Sequence, residues 1–163
     1  MNSKIKKSCV LSKCNKYRYE LRRAWNSSKP QIMFILLNPS TADDIEDDPT
    51  IKKCISYTKR LKGGSIVVCN IFSYRSTDPR LMKQHNDPVG PNNDYWIKKN
   101  AKESKLIIAG WGKHGSYLGR AEEICRMLPK MHCFKINKDG SPTHFLYLPS
   151  NLKPILFRYS VKN

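Results

Sequence analysis

The sequence predicts an α/β domain: a three-layer sandwich in which a four-stranded, mostly parallel sheet carries helices on both faces, with an antiparallel hairpin added at the N-terminus. Three observations carry this. Four short apolar runs recur along the 163 residues, segments with helical spacing separate them, and the first three runs lack the alternation of a half-exposed strand. Alternating strand and helix implies parallel pairing through right-handed crossovers.

The runs are "IMFILL" (32–37), "SIVVCNIF" (65–72), "KLIIAGW" (105–111) and "HCFKI" (132–136). Ahead of them, "KYRYELRRAW" alternates Tyr17, Tyr19 and Leu21 with Arg18, Glu20 and Arg22, which predicts a half-buried strand. Together with a short Cys9 to Leu11 segment it forms a hairpin over about residues 8–26. Ile51, Cys54, Ile55, Thr58 and Leu61 follow helical spacing after Pro49, and "KGG" at 62–64 supplies a glycine stop. Helices are also expected over 94–104 and 117–128, the latter placing Leu118, Ala121, Ile124, Cys125 and Leu128 on one side and ending at Pro129. No linker or repeat interrupts residues 1–163, so a single domain is expected.

Composition narrows the function classes. No run approaches the roughly 18 apolar residues of a membrane span, and "MNSKIKKSCVLSKCNK" has no apolar signal core. A cytoplasmic, monomeric protein without a membrane partner is expected. Of the six cysteines, Cys54, Cys69, Cys125 and Cys133 lie in apolar periodic segments and read as reduced, packed thiols. Cys9 and Cys14 lack the second close pair that a zinc site needs, so neither a metal nor another cofactor is expected. Thirty Lys and Arg against 13 Asp and Glu give a net charge of +17, which suits a polyanionic partner, above all DNA.

Against that excess, Asp43, Asp44, Glu46, Asp47 and Asp48 fall within six consecutive residues. In a parallel α/β sheet, ligands bind beyond the carboxyl ends of the strands, and this segment leaves the first of them. Asn38, Asn70, the Trp111 to His114 stretch and His144 follow or end strands in the same way. All are expected at one edge, with part of the negative charge in a cleft ringed by positive surface.

The motifs "LLNPSTADDIEDDPT", "NIFSYRSTDP", "AGWGKHG" and "NKDGSPTHFLYLP" resemble those of the bacterial LNPSTAD family, domain of unknown function 1643, over about residues 9–149. Their order also resembles, more distantly, the uracil-DNA glycosylase superfamily. The matching positions are Asn38-Pro39, Asn70, Trp111-Gly112 and His144, with Phe145 where that superfamily has proline. The resemblance implies a uracil-DNA glycosylase-like fold and a monofunctional DNA glycosylase that flips and excises a base.

Base excision requires stabilising an oxocarbenium-like sugar and an anionic leaving base. Asn38 suits orientation of the attacking water, Asp48 proton acceptance or sugar stabilisation, and His144 a hydrogen bond to the departing base. Asp48 equally suits a helix cap before Pro49. The paired donor and acceptor of Asn70 suit a pyrimidine edge, and Phe72 or Trp111 suits stacking on the base, although an aromatic at a strand end is more often core. Arg75, Arg80, Lys113 and His114 are candidate DNA contacts, and Leu146 or Leu148 a candidate wedge into the stack. The resemblance places Ser40 where the uracil-specific branch has a tyrosine that excludes 5-substituted bases. With Thr41 and the acids, Ser40 then implies a 5-substituted pyrimidine such as a phage-type modified cytosine, for defence, with repair of a damaged base as the other use. Two competing functions stand beside this one: a metal-dependent nuclease or phosphoesterase using the acidic cluster, and a nucleic-acid-binding protein without catalysis.

Overall fold

A computed structural model describes residues 4–40, 43, 45–128 and 130–159. Asp44, Thr41 and the helix terminator Pro129 therefore lie outside the described residues. Along the chain run β1 (Lys6–Leu11), β2 (Arg18–Ala24), β3 (Gln31–Leu36), α1 (Pro49–Arg60), β4 (Ser65–Asn70), α2 (Pro79–Gln84), α3 (Asn93–Glu103), β5 (Leu106–Ala109), α4 (Arg120–Met127), β6 (Met131–Cys133) and β7 (Ile155–Phe157). Short 3-10 turns at Lys113–Gly119 and Phe145–Tyr147 complete the set.

The protein is α/β, but its sheet has seven strands and is mixed, in the order β1-β2-β4-β3-β5-β6-β7. The expectation of a four-stranded sheet is corrected at both edges. The four apolar runs supply β4, β3, β5 and β6, adjacent and parallel. The N-terminal hairpin then extends the sheet, because β2 pairs antiparallel with β4 (Leu21 opposite Val68), and β7 pairs antiparallel with β6. Unpaired backbone at those edges would otherwise face solvent without partners.

Burial on both faces explains why β3 and β4 read as unbroken apolar runs. Met33, Ile35, Val67 and Cys69 join Ile97 of α3 and Ile124 of α4 in one core, while Ile32, Phe34, Ile66 and Val68 join Ile51, Cys54 and Ile55 of α1 in the other. Each fully buried aliphatic side chain contributes about 1.5–3 kcal/mol relative to exposure. Three layers result, α1 on one face and α3 with α4 on the other.

β2 departs from the half-buried strand its alternation predicts. Arg18, Tyr19, Glu20, Leu21 and Arg23 are all buried, because α3 covers one face and the acidic loop before α1 covers the other. On the α3 side, Glu20 accepts from Asn100 Nδ2 at 2.7 Å, and Arg22 donates to Asn100 Oδ1 at 3.0 Å. Helix α1 starts as expected, with Asp48 as cap and Pro49 in the first turn. Its stop differs: the left-handed residue is Lys62, not a glycine. Gly64 serves close approach instead, since a Cβ there would lie 1.9 Å from the Asn26 carbonyl oxygen.

Candidate functional site

A cavity of about 310 Å³ opens beyond the carboxyl ends of β3 and β4. Its walls include Leu36, Asn38, Ser40, Asp48, Asn70, His144 and Leu146. These come from four separate stretches of chain, and the local structure of each explains its place.

Asn38 leaves β3. Its Nδ2 donates to the Ser76 carbonyl oxygen at 2.7 Å, which fixes the amide so that Oδ1, without a hydrogen-bond partner among the described residues, is the group left for a ligand. Asp48 caps α1 and also faces the cavity. Its Oδ1 accepts from the Ile51 N–H at 2.8 Å as the cap of α1, its Oδ2 accepts from Ser40 Oγ at 2.9 Å, and both residues line the cavity.

His144 sits on a loop stapled to α1. Lys53 Nζ donates to the Leu146 carbonyl at 2.6 Å and also to that of Leu148, and Tyr57 Oη donates to the Pro149 carbonyl at 2.9 Å. Helix α1 thereby holds Asp48 and the His144 loop in one frame. His144 Nδ1 accepts from the Leu146 N–H at 3.2 Å, so the neutral ring carries its proton on Nε2, and the ring stacks on Phe145 with centroids 5.5 Å apart. Burial pushes its pKa below the ordinary histidine value; the Asp48 charge opposes that shift and the Lys53 charge adds to it. That shift favours the neutral imidazole, whose Nε2–H has no hydrogen-bond partner among the described residues.

Asn70 ends β4 and is almost fully buried, its Oδ1 accepting from Arg18 Nη2 at 3.4 Å. Arg18 reaches the cavity because β2 runs antiparallel to β4, which brings the first residue of β2 to the last residue of β4. Its guanidinium is buried, and burial pushes its pKa down to about 10, an effect that the charge of Asp48 partly opposes. It remains protonated at neutral pH. Tyr147, 93% exposed, stands at the cavity mouth. Sequence reasoning missed both Arg18 and Tyr147. The pairing of β2 with β4 places the first; the second is visible only as an aromatic two residues past His144 in "THFLYLP".

Other expected site residues lie elsewhere. Phe72 and Trp111 are core and not stacking platforms: Phe72 is fully buried, and Trp111 packs edge-on against Phe157 and against Gly115, where a Cβ would lie 2.1 Å from the indole. Leu148 packs partly buried on the α1-side core, which corrects its assignment as a free wedge, whereas Leu146 lines the cavity. Arg75 borders a neighbouring depression of about 440 Å³ that shares Ser76 and Thr77 with the main cavity. Arg80 is exposed and paired with Asp78 at 2.9 Å. Lys113 is exposed, and His114 lies 3.1 Å from Lys83, both away from the cavity lining.

The acidic segment turns out to be tied down chiefly by Arg23. That side chain is fully buried, with Nε on Asp47 Oδ1 at 2.7 Å and further bonds to the carbonyls of Ser8, Arg22, Asp43 and Glu46. Lys7 adds an ion pair to Asp47 at 3.4 Å. Asp43 caps its own turn by accepting from the Ile45 and Glu46 N–H groups at 2.8 Å. Of the described acids of this segment only Asp48 lines the cavity, and Asp47 is the one that pairs with cations of β1 and β2. Among the described residues, no group of three His, Cys, Asp or Glu side chains is placed to hold a metal ion. None of the helices among them is long and apolar enough to cross a membrane.

A family model described as "Protein of unknown function (DUF1643)" matches residues 18–146. The chain belongs to this family. The match begins at Arg18 and ends at Leu146, so it takes in every residue named above as lining the cavity except Tyr147. No curated protein and no solved structure matches the chain.

Proposed function

We propose that the protein is a monofunctional DNA glycosylase that draws a flipped, modified or damaged base into the cavity beyond β3 and β4. The observation that carries this reading is the convergence of Asn38, Asp48, Asn70 and His144 on one cavity, each already oriented by a hydrogen bond to the protein. Asn38 Oδ1 accepts from the attacking water, and the Asp48 carboxylate lies on the same wall to take its proton or stabilise positive charge on the sugar. The Nε2–H of His144 stabilises negative charge developing on the departing base. The excess of Lys and Arg draws the DNA backbone to the protein in a cytoplasmic setting, where the use is defence against modified DNA or repair. The resemblance to the uracil-DNA glycosylase superfamily agrees with this, since parallel β4-β3-β5-β6 strands present Asn38 and Asn70 at their carboxyl ends.

At about 310 Å³ the cavity is at the small end of the roughly 300–1,000 Å³ typical of ligand sites, which suits one base bearing a modest substituent. Ser40, beside Asp48, leaves room and a hydroxyl for a group on carbon 5. Ser40→Tyr is expected to lower release of 5-hydroxymethylcytosine and its glucosylated form by roughly 100-fold while sparing unsubstituted bases. Mass spectrometry of bases released by the two proteins from matched oligonucleotides checks this. Equal losses on large and small bases, or a wild-type preference for uracil, would refute the assignment of Ser40.

A further inference from the structure

We infer that Arg18 sets the hydrogen-bond polarity of the cavity, so that it reads a ring nitrogen that accepts, as on the pairing edge of a cytosine-type base, and rejects the ring N–H of a uracil- or thymine-type base. This rests on the nucleobase reading of the site and names its substrate class.

A guanidinium has only donors, so the Asn70 side-chain atom 3.4 Å from Arg18 Nη2 has to be the oxygen. Turning the amide over would set two donors against each other. The remaining group, Nδ2, has no hydrogen-bond partner among the described residues, and it is not sealed away as Asn93 Oδ1 and Trp111 Nε1 are. Asn70 thus offers a ligand a donor, while its acceptor is held by Arg18. The arrangement is rigid: Arg18 is 3% exposed, its backbone N–H donates to the Ser73 carbonyl at 2.9 Å, and the Asn70 carbonyl accepts from Asn93 Nδ2 at 2.8 Å.

The free Nε2–H of His144 is a second donor on the same cavity. A cytosine-type ring meets these donors with N3 and O2, both acceptors. A uracil-type ring instead turns its N3–H toward Asn70 Nδ2. That N–H then loses its hydrogen bond to water and gains none.

The test is binding of single-stranded oligonucleotides carrying one central cytosine- or uracil-type base, matched at carbon 5 and placed on a 2′-fluoroarabino sugar that resists cleavage. The expected result for the wild type is roughly tenfold or greater preference for the cytosine-type base. Asn70→Asp keeps the partner of Arg18 and is ionised beside that cation, but presents only acceptors, so the preference is expected to reverse toward uracil. Arg18→Met, which frees the amide to turn, is expected to abolish it. Equal wild-type affinities, no binding of either oligonucleotide, or an unchanged ratio in Asn70→Asp would overturn the inference. Because binding is read on uncleavable DNA, a preserved ratio with no base release from ordinary DNA would sink the glycosylase reading and leave this one standing.

Discussion

Asn38→Ala and His144→Ala are each expected to slow base release by roughly 30- to 1,000-fold, about 2–4 kcal/mol of transition-state stabilisation, while DNA affinity stays within about threefold of the wild type. The Asn38 amide is anchored through Nδ2 on Ser76 and so holds Oδ1 in place, and the His144 ring is anchored through Nδ1 on the Leu146 N–H. Among the described residues neither joins an ion pair or belongs to the two buried cores, so the fold should survive both changes. Single-turnover release rates, with unfolding midpoints as control, separate loss of chemistry from loss of structure. Full activity in Asn38→Ala would remove the role given to its amide.

The second large effect is on stability. Arg23→Met is expected to cost about 3–5 kcal/mol, because it leaves the Asp47 carboxylate, itself only 14% exposed, with just the longer pair to Lys7, and unties the loop between β3 and α1. Pairing Arg23→Met with Asp47→Leu should recover part of that loss, since no buried charge is then left unpaired and Lys7 is partly exposed to water. Urea unfolding of the two single variants and the double variant measures the coupling. A loss under about 1 kcal/mol in Arg23→Met would mean that the loop is held by something else.

What the sequence made legible follows from where the information is local. β3 and β4 announced themselves as unbroken apolar runs because helices cover both faces, and the start of α1 was visible because Asp48-Pro49 is a cap followed by a first-turn proline. β7 and α2 were missed, since three and six residues are too few to show a period. That Asn38, Asn70 and His144 gather at one cavity was legible because they end strands or follow them at the carboxyl edge, where such a fold binds ligands, whereas Ser40 was singled out only through the resemblance.

The same rule misled for Phe72 and Trp111, which also follow strands but turn into the core. Which way a residue past a strand end points depends on what packs there, and in the case of Trp111 the decisive neighbour is Gly115. Arg18 was hidden for the opposite reason. Its alternation with Tyr17 and Tyr19 predicted an exposed face, and only the pairing of β2 with β4 brings it to Asn70, 52 residues away in sequence. The acidic cluster was conspicuous in the sequence, yet its main partner, Arg23, was concealed in the same strand.

The proposed function requires cleavage of a glycosidic bond in DNA at the cavity formed by Asn38, Asp48, Asn70 and His144. The decisive measurement is to incubate the protein with a panel of modified DNAs in EDTA and identify released bases by mass spectrometry. The expected result is a free base, most abundantly a 5-substituted cytosine, with an abasic site left in an unbroken strand. Strand breaks without a free base, appearing only when Mg2+ is restored, would contradict it and point to a nuclease.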